Sequence, residues 1–141
     1  MTTVKLFFDG ASRGNPGLSG AGAYLKFSNG SIKELSKPLG RATNNQAEYR
    51  AIILGLVYLL KEYPERDQLD TVGIIGDSQL VIKQLGGEWR VNSANIRKDY
   101  EHAKQLITQL RQQSITVTLQ HVPRKQNADA DRLANRGADQ N

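Results

Sequence analysis

The stretch TNNQAEYRAIILGLVYLLKEYPERD, residues 43–67, constrains the fold more than any other. Thr43-Asn44-Asn45-Gln46 fits a capping box, in which the threonine hydroxyl and the glutamine side chain satisfy the first unpaired N–H groups of a helix. The spacing predicts a helix from about Thr43 to Tyr63, stopped before Pro64. Strand-like runs lie on both sides of it. TVKLFFDG precedes it, with Val4, Leu6 and Phe8 on one face and Lys5, Phe7 and Asp9 on the other. AGAYLKFSNGSIKELSKPLG reads as a hairpin with a two-residue turn at Asn29-Gly30. TVGIIGDSQ, after the helix, reads as a buried strand ending at Asp77, and SQLVIKQL as a short helix. A second long helix is expected from about Ala94 to Gln113, with Ile96, Tyr100, Ala103, Ile107 and Leu110 as its buried stripe. SITVTLQHV alternates as a half-buried strand does, with Ile115, Val117, Leu119 and His121 on one face, and NADADRLANRG closes as a short helix. Three strands, helix, strand, helical region, strand, helix describe an α/β chain: a meander, then crossovers that add parallel strands.

Composition narrows the chemistry. The chain has 141 residues, the length of one domain, and 19 Lys and Arg against 14 Asp and Glu give a net charge of +5. That is a mild invitation to polyanions. With no cysteine there is no disulfide, thiolate metal site or cysteine nucleophile, which suits a reducing compartment. The longest apolar run, AIILGLVYLL at 51–60, is too short to cross a bilayer. We expect a cytoplasmic protein without membrane contact. Nucleotide loops are tested directly: no Gly-x4-Gly-Lys-Ser/Thr string occurs, and GLSGAG at 17–22 spaces its glycines wrongly for a dinucleotide fingerprint.

Four carboxylates fall where hydrophobic patterning explains them poorly. Asp9 ends the first expected strand and precedes a glycine-rich run; an ordinary turn aspartate is the plain alternative. Asp77 ends the later strand, where it could also cap the next helix. Glu48 lies in line with Ile52, Leu56 and Leu59 or Leu60, on the face that packs on the sheet, or at that stripe's edge near the helix start. Asp129 and Asp131 flank the apolar face of the last helix, and periodicity does not choose between them. Carboxylates that cluster repel unless cations lie between them. An oxygen-only ligand set points to Mg²⁺ or Mn²⁺, and two such ions about 4 Å apart can activate water against a phosphodiester.

Together FFDGASRGNPG, TNNQAEYRAI, GDSQLVIKQL and HVPRKQNADADRLAN resemble the ribonuclease HI family, in the family's order and from about Thr3 to Ala138. The resemblance implies a ribonuclease H-like fold: a five-stranded mixed sheet, three antiparallel strands then two parallel, flanked by helices. It implies an endonuclease that hydrolyses the RNA strand of RNA/DNA hybrids with two Mg²⁺ or Mn²⁺ ions and leaves 5′-phosphate and 3′-hydroxyl ends. By motif, the metal ligands are Asp9, Glu48, Asp77 and Asp131. The D-x-L-A context of Asp131-Arg132-Leu133-Ala134 selects the last and leaves Asp129 outside the ligand set. His121 matches the family's mobile histidine, an aid to proton transfer or product release. Asn15, Asn44, Asn45 and Gln79 resemble its readers of the RNA 2′-hydroxyl, and Thr43 the residue that helps hold a DNA phosphate.

One departure stands out. Several members carry a basic helix and loop after the third carboxylate, whereas GGEWRVNSAN here holds one basic residue. Trp89, within it, is expected to pack. Lys83, Arg90, Arg97, Lys98, Arg124 and Lys125 are the candidate phosphate contacts. We expect a monomeric single catalytic domain over residues 1–141, with no separate hybrid-binding domain and with double-stranded RNA as an additional substrate. The rival classes are a binding protein that kept the fold without catalysis, and an integrase- or resolvase-like enzyme.

Overall fold

The computed structural model describes residues 1–141. Its elements are β1 (Thr2–Arg13), β2 (Gly17–Phe27), β3 (Ile32–Ala42), α1 (Asn44–Lys61), β4 (Leu69–Gly76), α2 (Gln79–Leu85), α3 (Ala94–Gln112), β5 (Thr116–His121) and α4 (Ala128–Asp139). The five strands form one sheet in the order β3-β2-β1-β4-β5. Strands β1, β2 and β3 pair antiparallel, and β4 joins β1, and β5 joins β4, in parallel. The element order read from the sequence is therefore the observed one.

The capping box is formed. Gln46 N donates to Thr43 Oγ1 (3.2 Å), and Thr43 N donates to Gln46 Oε1 (2.9 Å). Such a cap is worth about 1 kcal/mol. Ile52, Leu56 and Leu59 of α1 are fully buried against Val4, Leu6 and Phe8 of β1, and α3 adds Ile107 and Leu110 to the same core.

Two expectations need correction. The glycine-rich run after Asp9 is not a loop: β1 continues to Arg13 and pairs with β2 as far as Arg13↔Leu18, so only residues 14–16 turn. The glycines of β2 instead serve a close approach. A Cβ on Gly22 would lie 2.3 Å from Ala134 N, and one on Gly20 would lie 2.1 Å from Ala138 N, so α4 rests backbone-close on this strand. The hairpin turn differs too. Gly30 takes a positive φ of 93° but Asn29 does not, Phe27 N donates to Ser31 O, and Gly30 N donates to Phe27 O. That is a longer loop closed by one left-handed glycine, not a two-residue turn with both central residues left-handed.

Candidate active site

Strand pairing makes the cleft. The parallel ladder between β1 and β4 runs only to Phe7↔Ile75, while β1 stays paired with β2 through Asp9↔Gly22. Beyond Gly76, β4 gives way to Asp77 and then α2. Asp9 and Asp77 thus stand where two neighbouring parallel strands part, the place where α/β sheets commonly open a crevice. Glu48 reaches the same place from near the amino end of α1. Gly10 permits this: a Cβ there would lie 2.6 Å from both Ala47 Cβ and Glu48 N.

One carboxylate oxygen from each of Asp9, Glu48 and Asp77 lies within 4.8 Å of the others. Asp9 is buried, and its Oδ1 accepts from Gly10 N (2.9 Å). Burial, with the charges of Asp77 and Asp131 adding, pushes its carboxyl up to about 7, although the neighbouring Glu48 carboxyl and Gly10 N–H pull the other way. Burial, followed by the charge of Asp9, raises Glu48 well above the ordinary glutamate value. Glu48 Oε2 is buried with no hydrogen-bond partner. A group of this kind costs free energy unless a cation or proton meets it. The donors are all oxygen, so the trio fits a hard divalent cation such as Mg²⁺ or Mn²⁺.

The helix-cap alternative for Asp77 does not hold, because Ser78 caps α2 through its hydroxyl, which accepts from Val81 N (3.3 Å). Asp131 lines the cleft from α4 but stands outside the trio. Asp129 points elsewhere, toward Arg132, so of the two aspartates that flank the apolar face of α4 it is Asp131 that borders the cleft. His121, exposed at the end of β5, has its Nε2 3.3 Å from the carbonyl oxygen of Asp77. Arg124 lines the same cleft.

The amide-bearing residues surround this opening. Asn44, in the cleft wall, donates its backbone N–H to Asn15 Oδ1 (2.9 Å), which ties the β1–β2 turn to the start of α1. Asn45 is exposed beside it, and Gln79 is exposed at the first position of α2. Thr43 Oγ1 is engaged in the cap. Among the basic candidates, Lys83 pairs with Glu88 (3.3 Å) and Arg97 donates to Val91 O (2.6 Å), while Arg90, Lys98 and Lys125 are exposed. Trp89, expected to pack, is 44% exposed.

Sequence reading missed Asn127. It precedes α4 and so looks like a helix cap, yet its side chain caps nothing. It is buried, and Nδ2 donates to Phe8 O (2.9 Å) where β1 has parted from β4. The side chain takes the place of a missing strand and steadies the residue before Asp9. Only the polar residue just ahead of ADADRL marks it in the sequence.

Comparison with known proteins follows the same lines. A family described as reverse transcriptase-like matches residues 7–137. A ribonuclease HI of Halobacterium salinarum is 44% identical over 137 residues, which are 96% of this chain and 64% of that protein. A ribonuclease H of Pseudomonas putida is 34% identical over 149 residues, 98% of this chain and 95% of that one. The chain spans only about a third of a matching bifunctional protein of Mycobacterium tuberculosis (35%). Among solved structures, RNase H1 of Halobacterium salinarum superposes with a TM-score of 0.84 at 40% identity, covering 99% of both chains. LC11-RNase H1 in complex with an RNA/DNA hybrid superposes at 0.81 with 27% identity, over 99% of this chain and 98% of that one.

Proposed function

This chain belongs to the ribonuclease HI family, and from that membership we propose that it is a metal-dependent endonuclease cutting the RNA strand of RNA/DNA hybrids. The observation that carries the reading is the convergence of Asp9, Glu48 and Asp77 within 4.8 Å around a buried, unpartnered oxygen. Asp9, Glu48, Asp77 and Asp131 are the residues that would hold two Mg²⁺ or Mn²⁺ ions. Such ions supply Lewis-acid chemistry at the scissile phosphodiester, with 5′-phosphate and 3′-hydroxyl ends as the products. His121, exposed at the cleft mouth, moves a proton between the cleft and solvent. The amides of Asn15, Asn44, Asn45 and Gln79 meet 2′-hydroxyls, which they can both donate to and accept from. Thr43 adds a contact to the DNA strand, and Arg124 a contact to phosphate.

Residues 1–141 act in this reading as one catalytic unit, built on a single sheet. They act as a monomer, which sedimentation tests. Support for the hybrid as substrate comes from the LC11-RNase H1 complex. Double-stranded RNA is the second substrate to try.

The test is cleavage of one end-labelled RNA strand alone, paired with DNA and paired with RNA, with Mg²⁺, Mn²⁺ or chelator. Metal-dependent cutting of the hybrid, abolished by Asp9→Asn, is expected. Wild-type protein that binds the hybrid and cuts nothing with either metal overturns the reading in favour of a binding protein.

A further inference from the structure

Three of the four cleft carboxylates are set by elements that converge on the strand ends. Asp131 is not: it sits on α4, outside the trio, and its placement needs another cause. One helical turn on, Asn135 Nδ2 donates to Asp131 O (2.9 Å) and to Asp131 Oδ1 (3.3 Å), so one carboxylate oxygen is engaged by a protein donor. The other face of that amide meets Arg13 from the end of β1. Arg13 Nη1 donates to Asn135 Oδ1 (2.8 Å), and Nη2 donates to Asp139 Oδ1 (2.7 Å).

The chemistry of these groups fixes the arrangement. A guanidinium has donors only. The amide oxygen of Asn135 must therefore face Arg13, which turns the amino group toward Asp131. With the amide reversed, two donors would oppose each other and the Asp131 carboxylate would face an oxygen. Stability is a poor explanation for the pairing, because the Arg13–Asp139 side chains are 44% and 69% exposed, and such ion pairs contribute little.

We propose that Asn135 is a positioning residue for Asp131, and that Arg13 sets the sense of its amide. The proposal rests on the nuclease reading above. It also connects two regions of the site, since Arg13 lies two residues before Asn15, whose side chain accepts the Asn44 N–H. The turn that carries a substrate-facing asparagine is thereby tied to the carboxylate across the cleft.

Mn²⁺ binding to hybrid-free protein, measured by calorimetry, and hybrid cleavage across Mn²⁺ concentration test this on wild type, Asn135→Ala, Arg13→Ala and the double variant. Asn135→Ala should weaken Mn²⁺ binding about tenfold, the low end of what losing a residue that orients a metal ligand costs. It should raise the Mn²⁺ needed for half-maximal cleavage likewise, with KM for the hybrid at saturating metal unchanged. Arg13→Ala should show a smaller loss of the same kind, recovered by Arg13→Lys, which keeps a donor for the Asn135 oxygen. The double variant should be no worse than Asn135→Ala, because Arg13 acts through that amide. Mn²⁺ affinity unchanged in Asn135→Ala, additive losses in the double variant, or a loss that only follows a lowered melting temperature overturns the proposal. Wild-type protein that does not cut the hybrid overturns the nuclease reading instead, and the Mn²⁺ titrations are still judged on their own outcome.

Discussion

Against one face of the sheet lie α1 and α3, and against the other lies α4, and the two contacts are made of different material. The first joins large apolar side chains: Leu6, Phe8 and Leu25 from the strands against Ile52, Leu56, Leu59, Ile107 and Leu110 from the helices. The second joins backbone to backbone, with Gly20 and Gly22 under Ala134, Gly137 and Ala138, and Leu133 as its large buried residue. Volume holds the first contact, and shape holds the second. Both faces deliver a carboxylate to the cleft, Glu48 from α1 and Asp131 from α4. Both carboxylates ride on a close approach at glycine, Gly10 against Ala47 and Glu48 N for the first and Gly22 against Ala134 N for the second, but only α1 has a deep apolar core behind it.

That contrast can be broken most severely at Gly22. Replacing it with Leu puts a side chain where Ala134 N lies 2.3 Å from the first added carbon, so α4 must lift. We expect cleavage to fall below detection while circular dichroism still reports a folded sheet. Leu56→Ala attacks the other contact. It should cost about 2–5 kcal/mol in denaturant unfolding, as buried leucines do, yet leave kcat of the folded fraction unchanged. An activity loss in Leu56→Ala as complete as in Gly22→Leu would erase the distinction.

A pH series sharpens the picture. Asp9 and Glu48 titrate above their ordinary range in the folded chain, Asp9 at about 7 against 3.8 when free. Between these values the native state holds more protons than the unfolded one, so its stability falls as pH rises from about 4 to 7. Melting temperatures in chelator should drop across that window, and Asp9→Asn should flatten the slope. Divalent cation should restore the lost stability at pH 8, because it binds the charged form. The smallest effect belongs to the cap: Thr43→Ala should cost about 1 kcal/mol, read by denaturant midpoint.

Much of this was legible because it is local. A capping box spans four residues, and a helical stripe places Glu48 beside Ile52 and Leu56 without any knowledge of the sheet. The order of strands and helices followed from periodicity in the same way. What stayed hidden depends on distant partners. Asp129 and Asp131 could not be told apart because they flank the apolar face of α4 on opposite sides, and which side borders the cleft depends on the distant strand the helix rests on. The length of β1 was misjudged because a glycine-rich segment looks like a loop unless the helix it admits is known. Asn127 bonds a carbonyl 119 positions away, so nothing near it in the chain shows its purpose. Trp89 illustrates the reverse error, since the usual habit of a tryptophan is no guide to one that lies outside the core.

The close fit of α4 has a dynamic consequence. Apart from Leu133, the side chains that α4 rests on the sheet are small, so parting this contact exposes less apolar area than parting α1 would, and α4 is expected to open before α1. Such an opening carries Asp131 away and leaves Asp9, Glu48 and Asp77 together. Amide hydrogens of α4 should then exchange with solvent well before those of β1, the central strand bonded on both sides. Exchange of the α4 amides no faster than that of β1 would show that Asp131 stays in the cleft as long as the sheet is folded.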